Sequence, residues 1–177
     1  AGIRRAMLLA LPIALIACLA VATLFMRSLR YALISIIPIV LVVVWLFGIM
    51  YLAGYSINVV TAIIGAVSIG IGIDFSTHFV MRFLEEVGAG ARKRPAIAAA
   101  GAGTGVALAG SAVTSVAGFG ILAFAQMPMF ATYGLLTALM IVLALLAALF
   151  VLPSLLVAAT RDVDFPAGHR QRRPVSC

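Results

Sequence analysis

Long apolar runs separated by short polar or basic interruptions dominate the chain. Five such runs stand out, at about residues 6–26, 31–53, 57–82, 106–124 and 130–158. Each is close to or above the roughly 20 residues a helix needs to cross a hydrocarbon layer of about 30 Å. The runs are too long for barrel strands, and in lipid an open chain satisfies its backbone groups only as helix. The pattern predicts an all-α, polytopic bundle of five transmembrane helices.

Composition agrees. Hydrophobic residues make up 65% of the 177 and charged residues only 10%, and mean hydropathy is +1.26, a balance that identifies an integral membrane protein. The net charge of +7 changes the picture only through its placement. Arg27 and Arg30 separate the first two runs; Arg82, Arg92, Lys93 and Arg94 separate the third and fourth; Arg161, Arg170, Arg172 and Arg173 follow the fifth. The linkers Gly54-Tyr55-Ser56 and Gln126-Met127-Pro128 are uncharged. Clustering of this kind is a topology signal rather than a nucleic-acid footprint. It assigns the basic segments to the cytoplasm, including residues 161–177, a basic C-terminal tail expected to be disordered. The chain's start then lies outside, against the vote of Arg4 and Arg5. The expected location is the cell (inner or plasma) membrane.

The first run is too long for a cleaved signal peptide, and Arg27 and Arg30 follow it where small residues would be needed. Five helices starting outside suggest the C-terminal part of a larger transporter-like protein. Pro12, Pro38 and Pro153 fall within helices, where each removes a backbone hydrogen bond. Neighbouring helices can absorb that loss, so packing is favoured over gating.

Candidate chemistry centres on Asp74, the only acid within the apolar spans, in Gly70-Ile71-Gly72-Ile73-Asp74-Phe75. An ionisable side chain at the bilayer centre costs roughly 2.5–3.5 kcal/mol on insertion scales. The third helix, if it runs from Ile57 to Glu86, spans roughly 43 Å and places Asp74 about 25 Å from its external start. His78 and Arg82 follow at intervals of four, on the same face. Two readings of Asp74 stand side by side: a buried acid that hydrogen-bonds and holds the bundle together, or a proton-relay group whose ionisation responds to hydration. His78 is a proton shuttle or an interfacial polar residue. Ser111, Thr114 and Ser115 form a hydroxyl stripe on the fourth helix, positioned either to face Asp74 or to bond their own backbone. Gly70, Gly72 and Gly118 would allow close helix approach. The relay reading requires Asp74 to face that stripe; turned to solvent or lipid, away from it, the carboxyl would not support a pump.

No metal site is expected from two histidines and no acidic pair, and Cys18 and Cys177 make no framework. Gly101-Ala102-Gly103-Thr104-Gly105 lacks the strand and lysine of a phosphate loop. No hydrolase or transferase constellation is visible, so neither enzyme activity nor a cofactor is expected.

These residues resemble a known family. Ser56-Ile57-Asn58-Val59-Val60-Thr61, Gly70-Ile71-Gly72-Ile73-Asp74-Phe75-Ser76-Thr77-His78 and Arg82-Phe83-Leu84-Glu85-Glu86 are similar to the resistance–nodulation–division (RND) superfamily. Within it they resemble the MMPL-type exporters, related to the sterol-sensing domains of Patched-like proteins. Ser111 to Gly120 and Phe130 to Ala138 match the next two helices. The resemblance implies the last five helices of a proton-driven exporter of hydrophobic or lipid-like substrates. Its partners would be membrane lipids and a missing N-terminal half or subunit with external domains, in a homo-oligomer or larger assembly. It also implies that Asp74 is the relay acid, with Phe75 where the family carries Tyr. The alternative is a sterol-sensing-like module that binds lipid or regulates without transport.

Overall fold

A computed structural model describes residues 2–26, 28–55 and 59–159, with backbone only at 2–8, 10–11 and 59–60. Among these residues the regular structure is entirely helical: α1 (Gly2–Met26), α2 (Leu29–Leu52), α3 (Val59–Gly88), α4 (Lys93–Leu122) and α5 (Pro128–Leu146). One π-helical turn (Ala147–Val151) then leads into α6 (Leu152–Ala159), so the last rod is continuous. The expected tail at 161–177, the basic residue Arg27 and part of the linker at 56–58 lie outside the described residues. Among the described residues four helical stretches are apolar and long enough to cross a membrane: Leu29–Leu52, Thr61–Gly88, Lys93–Leu122 and Pro128–Ala159. The corresponding stretch of α1, Pro12–Met26, is shorter. The chain is an all-α polytopic membrane protein.

Glycine sets two of the turns. Gly54 has φ 74° and Gly90 φ 93°, a left-handed conformation that glycine adopts without a Cβ penalty. After α2, Tyr55 N–H donates to the Met50 carbonyl at 2.9 Å and Gly54 N–H to Tyr51 at 3.2 Å. After α3, Ala91 N–H donates to Glu86 at 3.0 Å and Gly90 N–H to Val87 at 2.9 Å. Both are Schellman closures, which satisfy carbonyls the helix end would otherwise leave unpaired. The fourth helix starts at Lys93, well before the apolar run at 106: Pro95 falls in the first turn, where its missing N–H leaves no bond unmade, and the alanines from Ala96 favour helix strongly enough to carry it through Gly101, Gly103 and Gly105.

The interior divides into two apolar clusters. One joins Val42, Leu46, Ile64, Phe75, Leu108, Leu136 and Met140. The other joins Ala22, Met26, Ile34, Phe79, Phe83, Ala96, Leu152 and Leu156. The second cluster combines the end of α1 and the start of α2 with the end of α3, the start of α4 and α6, as antiparallel connections require. At this end the basic connectors meet the last rod. Arg30 Nη2 donates to the Ala159 carbonyl at 2.6 Å, and Lys93 Nζ donates to the Val157 carbonyl. Cations there satisfy the last carbonyls and oppose the negative end of the helix dipole.

The π turn has a local cause. Pro153 has no N–H for the carbonyl of Leu149, and its ring crowds that carbonyl; one wider turn relieves the clash. Pro12 and Pro38 sit inside α1 and α2.

Glycine also fixes the tightest packing. A Cβ on Gly134 would lie 2.5 Å from the Phe119 carbonyl oxygen and 2.5 Å from Leu122 Cβ, so α5 approaches α4 more closely than any larger residue permits. Beside it, the Phe119 and Tyr133 rings meet edge to face, with centroids 6.1 Å apart.

Candidate functional site

Two faces of α3 differ in character. Phe75, Phe79 and Phe83, spaced by four, form a buried ridge. Gly70, Asp74, His78 and Arg82, also spaced by four, form an exposed stripe. Helical phase alone separates the two sets, since residues four apart stack on one face. Phe75 is 7% exposed and belongs to the apolar core. A tyrosine there would add a hydroxyl to that apolar core, so phenylalanine suits the packing and stays out of the exposed Asp74 face.

Asp74 lines a groove of about 380 Å³ between α1 and α3. Its walls include Ala17, Val21, Phe25, Ile73 and Met81; its polar groups are Cys18 on α1 and Asp74, Thr77 and His78 on α3. The structure thus brings Asp74 and His78 together, as their spacing predicts, and adds Thr77, which the sequence reading passed over. The signal was available: Thr77 stands three residues after Asp74 and so shares its face. Among the described residues Asp74 and His78 have no hydrogen bond or ion pair.

The hydroxyl stripe does not join this site. No hydrogen bond links Asp74 to Ser111, Thr114 or Ser115, and the groove is lined from α1 and α3 alone. Thr114 Oγ1 donates to the Ser111 carbonyl at 2.8 Å, so it is satisfied by its own helix. Ser111 and Thr114 are exposed. The expectation of a carboxyl enclosed against α4 is therefore corrected: Asp74 is exposed on the face that borders α1, because the apolar ridge of α3 takes the interior positions. An intrachain relay through the α4 hydroxyls is not formed, so the condition stated above for a pump is not met by the geometry of this chain.

The packing glycines divide in the same way. A Cβ on Gly72 would make ordinary contact with Ile39 at 3.4 Å, so α2 and α3 do approach closely there. Gly70 and Gly118 have no described neighbour within 4 Å of a Cβ and lie on open faces of this chain. The close approaches lie instead at Gly105, where Leu149 Cδ2 would be 3.1 Å away, and at Gly134.

Arg82, at the end of the stripe, is held by its own helix. Its Nη1 lies 3.0 Å from Glu85 Oε2 and its Nη2 2.7 Å from Glu86 Oε1. The guanidinium is thus committed away from Asp74; such exposed pairs contribute little stability. No group of three His, Cys, Asp or Glu among the described residues is placed to hold a metal.

The long apolar helices define a polytopic helical membrane protein, with the Asp74 carboxyl on the exposed face of one span. The chain belongs to the MMPL family, whose model matches residues 1–175. It is 32% identical over 151 residues to a protein of Methanocaldococcus jannaschii named as a membrane protein, covering 85% of this chain and 39% of that one. It is also 34% identical over 84 residues to a Niemann-Pick type C1-related protein of Toxoplasma gondii, covering 48% of this chain and 7% of that one. The chain therefore spans well under half the length of either relative.

Proposed function

We propose that this chain is the C-terminal transmembrane module of a proton-motive-force-driven exporter of hydrophobic or lipid-like substrates, with Asp74 as the group that takes up and releases protons. The observation that carries this reading is a carboxyl on an apolar span with no hydrogen-bond or ion-pair partner among the described residues. A membrane helix retains such a group at a cost of several kcal/mol, and the usual return is ion movement. Asp74 then meets its counterpart on a surface outside this chain, such as the other half of a longer protein, and His78 passes protons along the same groove. Because Asp74 is turned away from the α4 hydroxyls, this reading gives up the requirement that it face them and replaces it with a partner surface from outside this chain.

The test is proton flux through the intact parent protein in vesicles loaded with a pH-sensitive dye. Asp74→Asn is expected to abolish flux while the protein still folds, and Asp74→Glu to retain part of it. Undiminished flux in Asp74→Asn would sink the reading. The open groove and the similarity to a Niemann-Pick type C1-related protein favour one second reading, a sterol-sensing-like module that binds lipid without transport. It predicts lipid binding with no Asp74-dependent flux.

A further inference from the structure

We propose that the corner where the start of α2, the start of α4 and the end of α6 meet binds the headgroup of an anionic phospholipid, with an acyl chain laid along an exposed ridge of α2. The site shares no residue with the Asp74 groove and does not depend on the exporter reading.

Two connectors bring cations to this corner. Arg30 on α2 and Lys93 on α4 both reach the last turn of α6, donating to the Ala159 and Val157 carbonyls. Arg92 and Arg94 flank Lys93; both are exposed, and among the described residues neither side chain has a hydrogen bond or an ion pair. No described acid offsets them. Glu85 and Glu86 are taken by Arg82, and Asp74 lies in the groove between α1 and α3. α4 opens here with no acid in its first turn and no side-chain cap, so the positive end of its dipole adds to the same potential. What separates a lipid from a free anion is the surface beside the charges. Leu33, Ile37, Val40 and Val44 are exposed and, at spacings of four, three and four, share one side of α2 with Arg30. That ridge runs about 16 Å at 1.5 Å per residue, close to half of a hydrocarbon core of about 30 Å and so the depth of one leaflet. Charge and ridge together fit a molecule with a phosphate at one end and an alkyl chain at the other. Phosphate oxygens accept charge-assisted hydrogen bonds from arginine. A zwitterionic headgroup would bring its own cation into a site that is already positive, so a net negative headgroup is favoured.

The test is native mass spectrometry of the purified full chain, titrated in detergent with phosphatidylglycerol. One phosphatidylglycerol per chain is expected to stay bound at concentrations where phosphatidylcholine does not. Joint Arg92→Gln and Arg94→Gln is expected to weaken that binding about 25-fold, about fivefold for each charge near the headgroup. Arg92→Lys with Arg94→Lys, which keeps both charges, should retain most of it. Neither side chain holds the bundle together, so the Tm of both double variants should match that of the parent chain. Glutamine at Arg170, Arg172 and Arg173, beyond α6, should leave binding intact. Loss of binding in this last variant but not in the Arg92 and Arg94 pair would overturn the proposal, as would equal retention of phosphatidylcholine. Glycerol 3-phosphate bound as tightly as phosphatidylglycerol would mark a site for free phosphate and overturn the assignment to lipid.

Discussion

Replacing Gly134 by alanine is expected to destabilise the bundle, although alanine is the better helix former by about 1 kcal/mol. The added Cβ would sit 2.5 Å from the Phe119 carbonyl oxygen and from Leu122 Cβ, and 3.0 Å from the Leu122 carbonyl carbon. Carbon contacts are comfortable at about 3.5–4.0 Å, so α5 would have to retreat from α4 by about 1 Å. The obstruction is largely backbone, which cannot rotate aside. Overpacking of this kind costs about 1–3 kcal/mol, and the retreat also disturbs the edge-to-face contact of Phe119 and Tyr133. After subtraction of the propensity gain, a net loss of up to about 2 kcal/mol remains, a fall in Tm of up to about 8 °C for a chain of this length. Gly110→Ala supplies the contrast. It adds the same methyl group in α4 where nothing lies within 4 Å, so only the propensity gain applies and its Tm is expected to stay level or rise. Thermal unfolding of the purified chain in one detergent, followed by tryptophan fluorescence, compares the two. Should Gly134→Ala match Gly110→Ala, the close α4–α5 approach is not a determinant of stability.

Two further substitutions probe other parts of the packing. Thr137 is fully buried and its hydroxyl lacks a partner among the described residues; because an unsatisfied buried polar group costs about 1–3 kcal/mol, Thr137→Val is expected to raise Tm in the same melt, and a lower Tm would reveal a partner for that hydroxyl. Joint replacement of Arg30 and Lys93 by alanine removes the donors to the Ala159 and Val157 carbonyls. With about 0.5–1.5 kcal/mol per bond, amide hydrogen exchange across 155–159 should accelerate severalfold while exchange around Leu136 stays unchanged. Uniform acceleration along the last rod would instead indicate global loosening.

Much of the architecture could be read from the chain. Apolar run length fixes helices, since lipid leaves the backbone no other open-chain solution. The basic residues mark one set of connectors, and Arg30 and Lys93 do converge on the last rod. Asp74 stands out by its cost in an apolar span, and the spacing of 74, 77 and 78 places those residues on one face. The family, too, was carried by motifs spread over most of the chain.

Tertiary structure decided which way these faces turn. A helix that is apolar nearly all round carries little periodic information about its inner side, so Asp74 could equally have pointed at α4. It borders α1 because Phe75, Phe79 and Phe83 fill the interior, which also takes Phe75 out of the carboxyl's surroundings. The same ambiguity affects the small residues. Gly118 and Gly134 look alike in sequence, yet only Gly134 meets another backbone, because contact depends on the phase and approach of two helices rather than on either sequence alone. Thr114, whose spacing suggested a partner across the bundle, bonds its own helix instead, since a local carbonyl is always within reach of a threonine hydroxyl.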